Sequence, residues 1–121
     1  MGFQMSDEIT FEDYQVATST TAFYPGAGEG NADALSYTAL GLVGEAGEIA
    51  NKVKKILRDS GGEVSSEVRK DLAKELGDVF WYLARLADEI GYPLEVIAEN
   101  NLAKLRSRAE RGVLSGSGDN R

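Results

Sequence analysis

Two stretches of this chain repeat each other without a gap. LVGEAGEIANKVKKI, Leu42 to Ile56, and LAKELGDVFWYLARL, Leu72 to Leu86, align at an offset of 30 residues. Leu42 pairs with Leu72, Glu45 with Glu75, Gly47 with Gly77, Glu48 with Asp78, Val53 with Leu83 and Ile56 with Leu86. Apolar residues three and four apart mark both stretches as amphipathic helices. Any two such helices share that spacing; the matched Glu-x-Gly-[Glu/Asp] is what periodicity alone does not supply. A match of this kind implies two helices packed antiparallel about a pseudo-twofold axis and joined by a short turn.

The rest of the chain reads as helix as well. Thr10 to Phe23 predicts a first helix, N-capped by Thr10 with Glu12 and Asp13 in its first turn. Tyr24 to Asn31, YPGAGEGN, is a loop. The second helix is expected from Ala32 to Asp59, stopped by Ser60-Gly61-Gly62. A third begins after Ser65 or Ser66 and ends at Gly91; Pro93 opens a fourth that Gly112 closes. The expected fold class is all-α, an antiparallel bundle of four main helices. An extension over 1–9 precedes it and a polar arm over 113–121 follows.

Composition narrows the chemistry. With 13 basic and 20 acidic residues the net charge is −7, which opposes nucleic acid and anionic membranes as partners. The chain has no cysteine and no histidine, which removes disulfides, thiolate or imidazole metal sites, and Ser-His or Cys-His catalysis. Any metal must therefore be held by oxygen, which points to Mg2+ or Mn2+. No apolar run approaches a membrane span and no signal-peptide core is visible, so a cytoplasmic location is expected.

Carboxylates three apart lie on one side of a helix. Glu45 and Glu48 border the arc Leu42, Val43, Ala46, Ile49, Ala50, Val53, Ile56 and Leu57. Glu75 and Asp78 border Leu72, Leu76, Val79, Leu83, Leu86 and Ile90. One such pair is the ordinary flank of an amphipathic helix. Two at matched register converge on one rim when the apolar arcs pack, and their mutual repulsion calls for divalent cations. Glycine in a helix interior costs roughly 1 kcal/mol relative to alanine. At Gly47 and Gly77 close approach of another helix or subunit accounts for it better than flexibility; Gly41 and Gly44 have no counterpart in the repeat.

Glu45-x-x-Glu48, 26 residues, then Glu75-x-x-Asp78 resembles the metal-binding signature of the MazG-like all-α nucleoside triphosphate pyrophosphohydrolases. The likeness extends to YPGAG, LGLVGEAGEIANKVKK, ELGDVFWYLA, NNLAKLRSR and RGVLSGSGDNR, and it matches the compact single-domain type over 10–112. The resemblance implies Mg2+-dependent hydrolysis of a nucleoside or deoxynucleoside triphosphate to the monophosphate and pyrophosphate, with water attacking the α-phosphorus. By that likeness Glu45, Glu48, Glu75 and Asp78 are the metal ligands, and Glu45 or Glu48 also activates the water. Lys52 and Lys55 project from the carboxylate side of the second helix toward a leaving pyrophosphate, and Tyr82 suits a nucleotide contact. Asn101, Lys104 and Arg108 lie on successive turns of the fourth helix as candidate substrate contacts, where the family often has an Asn and a Lys near the substrate.

Each of these cations is equally a solvated surface charge, and Trp81 reads as a contact between helices or subunits more than a base platform. Asp119 and Arg121 fit an arm closing over a neighbour's site. A specialist acting on dUTP or phosphoribosyl-ATP, and a catalytically silent helical module, remain alternatives. The apolar surface left over in so short a chain predicts a homo-oligomer, a dimer or a dimer of dimers, with the bundle completed across subunits.

Overall fold

The computed structural model describes residues 8–113, 116, 118 and 119. Among them there are four α-helices and no strand: α1 (Phe11–Thr18), α2 (Ala32–Asp59), α3 (Ser66–Glu89) and α4 (Leu94–Glu110). Caps set the boundaries. Thr10 and Asp13 form a reciprocal capping box on α1, Asn31 accepts from the Ala34 amide at the start of α2, and Ser65 accepts from Val68 N at the start of α3. No described helix is long and apolar enough to cross a membrane.

The first helix is shorter than the expected Thr10–Phe23. It gives way to a 3-10 turn at Ser19–Thr21. The cause is a run of hydroxyls: Thr18, Ser19, Thr20 and Thr21 each donate to the carbonyl three residues earlier, at 2.7, 2.6, 2.7 and 3.2 Å. Such back-bonds compete with the α-helical ladder and favour a tighter, short-lived turn.

α2 and α3 form the main packed pair, while α1 bridges α3 and α4. The buried centre is Ala84, Ala87 and Leu94, with Tyr14, Phe80, Leu83 and Ile97 packed around it. Pro93 provides no side-chain cap for α4; the amide of Gln15 does, accepting from Leu94 N at 3.0 Å while donating to Tyr92 O at 2.9 Å. One side chain of α1 thus pins the turn between α3 and α4.

The arcs expected to be buried are covered only in part. Ile56 is buried and Leu42 and Ile49 are half-buried, but Val43, Ala46, Ala50, Val53 and Leu57 are exposed, as are Leu76 and Ile90 of α3. Leu40, Val43 and Leu57 keep 72%, 70% and 69% of their surface. α3 covers one side of α2 and leaves an apolar stripe on the other.

The loop between α1 and α2 is tied down by one carboxylate. The Glu89 side chain is fully buried. It accepts from the Tyr24 hydroxyl, from Gly28 N at 2.8 Å and from Gly30 N at 2.9 Å. Arg85, also buried, reaches Tyr24 Oη at 3.2 Å, Thr18 Oγ1 at 3.3 Å and Asp88 at 2.8 Å. At Gly30 φ is +61°, and a β-carbon would stand 2.8 Å from the Glu89 carbonyl oxygen, so only glycine fits. Burial pushes the Glu89 carboxyl upward, but the hydrogen bonds from Tyr24, Gly28 and Gly30 and the charge of Arg85 outweigh it and leave the group below its ordinary value.

A depressed folded-state value means that Glu89 contributes stability above the ordinary glutamate range, which is lost as pH falls through the folded value. Acid titration of unfolding should therefore show Glu89→Gln less stable at neutral pH but with a flatter loss below the glutamate range. Parallel curves for the two proteins would contradict this assignment.

Candidate functional site

Packing of α3 on α2 brings carboxylates together. Glu45, Glu75 and Asp78 each offer an oxygen, and these oxygens lie within 4.8 Å of one another. Glu45 and Glu75 are half-buried and Asp78 is exposed. Glu48 is exposed one turn beyond Glu45 and stands outside that group of three, though its charge still acts on Glu45. Burial raises the Glu45 carboxyl first, followed by the charges of Asp78 and Glu75, a side-chain contact with Glu75, and the charge of Glu48. The donor set is all oxygen and crowded with like charge, which fits a hard divalent cation.

The register that creates this cluster depends on Gly41. Tyr82 lays its ring on the α2 backbone there, and a methyl group at Gly41 would overlap the ring. Gly41, with no counterpart in the sequence repeat, therefore has an in-chain role. Among the described residues nothing beyond the local helix backbone lies within 4 Å of a β-carbon placed at Gly44, Gly47 or Gly77, so close packing within these residues does not explain those three.

Beside the acids is a cavity of about 360 Å³ lined by Thr21, Glu45, Asp78, Trp81 and Tyr82. Trp81 Nε1 donates to Thr21 Oγ1 at 2.9 Å, and the indole meets Tyr24 and Tyr82 edge-to-face, with centroids 6.2 and 5.1 Å apart. Trp81 is thus a contact between elements, as its sequence position implied, and also a wall of this cavity. Thr21 had no signal in the sequence: it sits in a run of four hydroxyl residues, and only the fold selects it.

The remaining candidates are dispersed. Lys52 bridges Asp71 at 2.7 Å and Glu75 at 3.0 Å, and those two hydrogen bonds hold its ammonium more firmly protonated than usual. Lys55 is exposed on α2. Asn101 is exposed on α4. Lys104 and Arg108 converge on Asp119 Oδ1 at 3.1 and 3.2 Å, with Arg108 buried. Asp119 thus pairs within its own chain; Arg121 lies outside the described residues.

Comparison with known proteins places the chain in a family. A model of the MazG nucleotide pyrophosphohydrolase domain matches residues 34–113, a span that contains all four acids. The chain belongs to the MazG family. One MazG-family chain's relative, the Gene 37 protein of Mycobacterium phage L5, is 59% identical over 109 residues, covering 89% of this chain and 96% of its own length. No solved structure matches.

The two kinds of glycine should respond oppositely to alanine. Gly41→Ala must displace Tyr82, and overpacking of this sort costs about 1–3 kcal/mol, against roughly 1 kcal/mol gained in helix propensity. Gly44→Ala meets no obstacle in the chain and should raise the melting temperature. Thermal unfolding of both variants checks the contrast; a stabilised Gly41→Ala would remove Tyr82 from its assigned seat.

Proposed function

We propose that the protein hydrolyses a nucleoside or deoxynucleoside triphosphate to the monophosphate and pyrophosphate, with Mg2+ or alternatively Mn2+, by water attack at the α-phosphorus. The observation that carries this reading is the convergence of Glu45, Glu75 and Asp78 beside the cavity walled by Trp81 and Tyr82, in a chain of this family. Glu45, Glu48, Glu75 and Asp78 would hold the cation, which supplies charge neutralisation for the phosphates and a lowered pKa for water.

The chain's own groups take the other roles. Glu45, in the cavity wall, and Glu48, on the same helix, are the two candidates to orient the attacking water and accept its proton. Lys52 steadies Glu75 through their ion pair, and Lys55, one turn further along, is free in position to meet the leaving pyrophosphate. Tyr82 supplies an apolar wall for the nucleotide. Asn101, Lys104 and Arg108 lie on α4 beyond Leu94 and Ile97, which pack into the core with Ala84 and Ala87 of α3, so their phosphate contacts are best supplied across a subunit boundary.

That boundary follows from a proposed homo-oligomer, a dimer or a dimer of dimers. The uncovered α2 stripe from Leu40 to Leu57, with Gly47 in its middle, offers an apolar face where a second helix can come close. Partners on α3 descend as α2 ascends, Tyr82 at Gly41, Asp78 near Glu45 and Asp71 at Lys52, which supports an antiparallel pair.

Pyrophosphate release over a panel of all NTPs and dNTPs, with Mg2+ and Mn2+, tests the reaction and ranks its substrates. Glu48→Ala and Asp78→Ala should each lower the rate by more than about 100-fold, the upper range for loss of groups that merely support metal ligands. Mg2+ should raise the melting temperature of the wild type and not of Asp78→Ala. Wild-type protein that releases no pyrophosphate from any nucleotide would sink the hydrolase reading. Light scattering should give a dimer or tetramer that Val43→Asp shifts toward monomer; a monomeric wild type would refute the assembly.

A further inference from the structure

The hydrolase reading makes no use of the buried Glu89, although three donors meet on its carboxylate. Those donors all belong to the loop after the Ser19–Thr21 turn: the Tyr24 hydroxyl and the amides of Gly28 and Gly30. The loop's own backbone hydrogen bonds are local, Ala27 N to Tyr24 O and Glu29 N to Gly26 O. Its hydrogen bonds to α3 are made with the side chains of Glu89 and Arg85, and the Tyr24 ring also meets Trp81.

From Glu89 a continuous set of contacts leads to the cavity. The Tyr24 ring stacks on Tyr37 with centroids 5.1 Å apart and planes 12° apart, and it presents an edge to Trp81 at 6.2 Å and 88°. Trp81 is gripped on its polar side by Thr21, three residues before Tyr24. The indole then abuts Tyr82 at 5.1 Å and 87°. Trp81 and Tyr82 are cavity walls and Glu89 is not. Moving Tyr24 therefore moves what supports the indole, while the carboxylate cluster on α2 and α3 is held by other contacts.

We infer that Glu89, acting through Tyr24, is a positioning residue that holds Trp81 in the wall of the cavity beside the acids, and so sets affinity for the nucleotide rather than the rate of its hydrolysis. The inference rests on the hydrolase reading for its kinetic consequence, but not for its structural one.

Replacing Glu89 with glutamine exposes the mechanism. Oε2 serves Tyr24 and Gly28 while Oε1 serves Gly30. A glutamine amide has one acceptor oxygen and one NH2, so its nitrogen must face a donor wherever it points. The milder change is Tyr24→Phe, which keeps the ring and removes only the hydroxyl.

Trp81 is the single tryptophan of the chain, so emission excited at the red edge, where tyrosine does not absorb, reports on this wall alone. In folded Glu89→Gln and Tyr24→Phe, judged by far-UV circular dichroism, Trp81 emission should shift to the red and acrylamide quenching should rise, without nucleotide present. KM for the best substrate should rise roughly tenfold with kcat little changed, the pattern for loss of binding common to ground and transition state. Tyr24→Phe combined with Trp81→Phe should cost less than the sum of the two single changes, because both break one connection.

Unchanged emission and quenching in folded Tyr24→Phe overturns the inference, even where Glu89→Gln fails to fold. So does a fall in kcat at constant KM, or strict additivity in the double variant. If the wild type hydrolyses no nucleotide, the hydrolase reading fails by itself, and the fluorescence comparison still decides whether Glu89 positions Trp81.

Discussion

Everything at the candidate site hangs on the seating of the Tyr82 ring against Gly41. Two amphipathic helices can slide by a turn and still bury apolar surface, so hydrophobic contact alone does not specify register. An aromatic ring lying where a side chain is missing does specify it. With Tyr82 at Gly41, Glu45 falls opposite Glu75 and Asp78, and Lys52 falls between Asp71 and Glu75. A slip of one turn would move Tyr82 off Gly41 and break this particular grouping of Glu45 with Glu75 and Asp78.

The electrostatics are arranged in opposite senses at the middle of the two helices and at the C-terminal end of α3. Near Glu45 three carboxylates crowd together with one ammonium at their edge, a like-charge arrangement that a divalent cation would relieve. Near Glu89 a single carboxylate is over-supplied with donors and a guanidinium, and its charge is satisfied within the chain. The first is built to receive something; the second is built to hold something already there. Trp81 lies between the two and touches elements of both.

The sequence made the helices and the acids legible, because both leave local marks. Thr10, Asn31 and Ser65 announce helix starts by their capping chemistry, and the offset repeat picks Glu45, Glu48, Glu75 and Asp78 out of many surface acids, of which all but Glu48 converge. What was not legible depends on partners distant in the chain. Gly41 means nothing until Tyr82 is known to lie on it, and Arg85 and Glu89 look like a routine i,i+4 pair until Tyr24 and the loop amides arrive. The four hydroxyls from Thr18 to Thr21 shortened α1 by back-bonding, which apolar periodicity does not register. The expected buried arcs proved half uncovered, because a helix face records that it seeks cover and not whether its own chain supplies it.

The Glu89 latch grips the loop by backbone amides and one hydroxyl, not by the side chains of the residues between. Gly28 and Gly30 donate their N–H groups, while Pro25 and Glu29 point to solvent. Tolerance to substitution should therefore alternate along PGAGEG: Gly26, Gly28 and Gly30, all at positive φ, stay glycine, while Pro25 and Glu29 are free to vary. A lineage could rewrite the outward chemistry of this loop, its charge or its size, while the wall behind it keeps its shape.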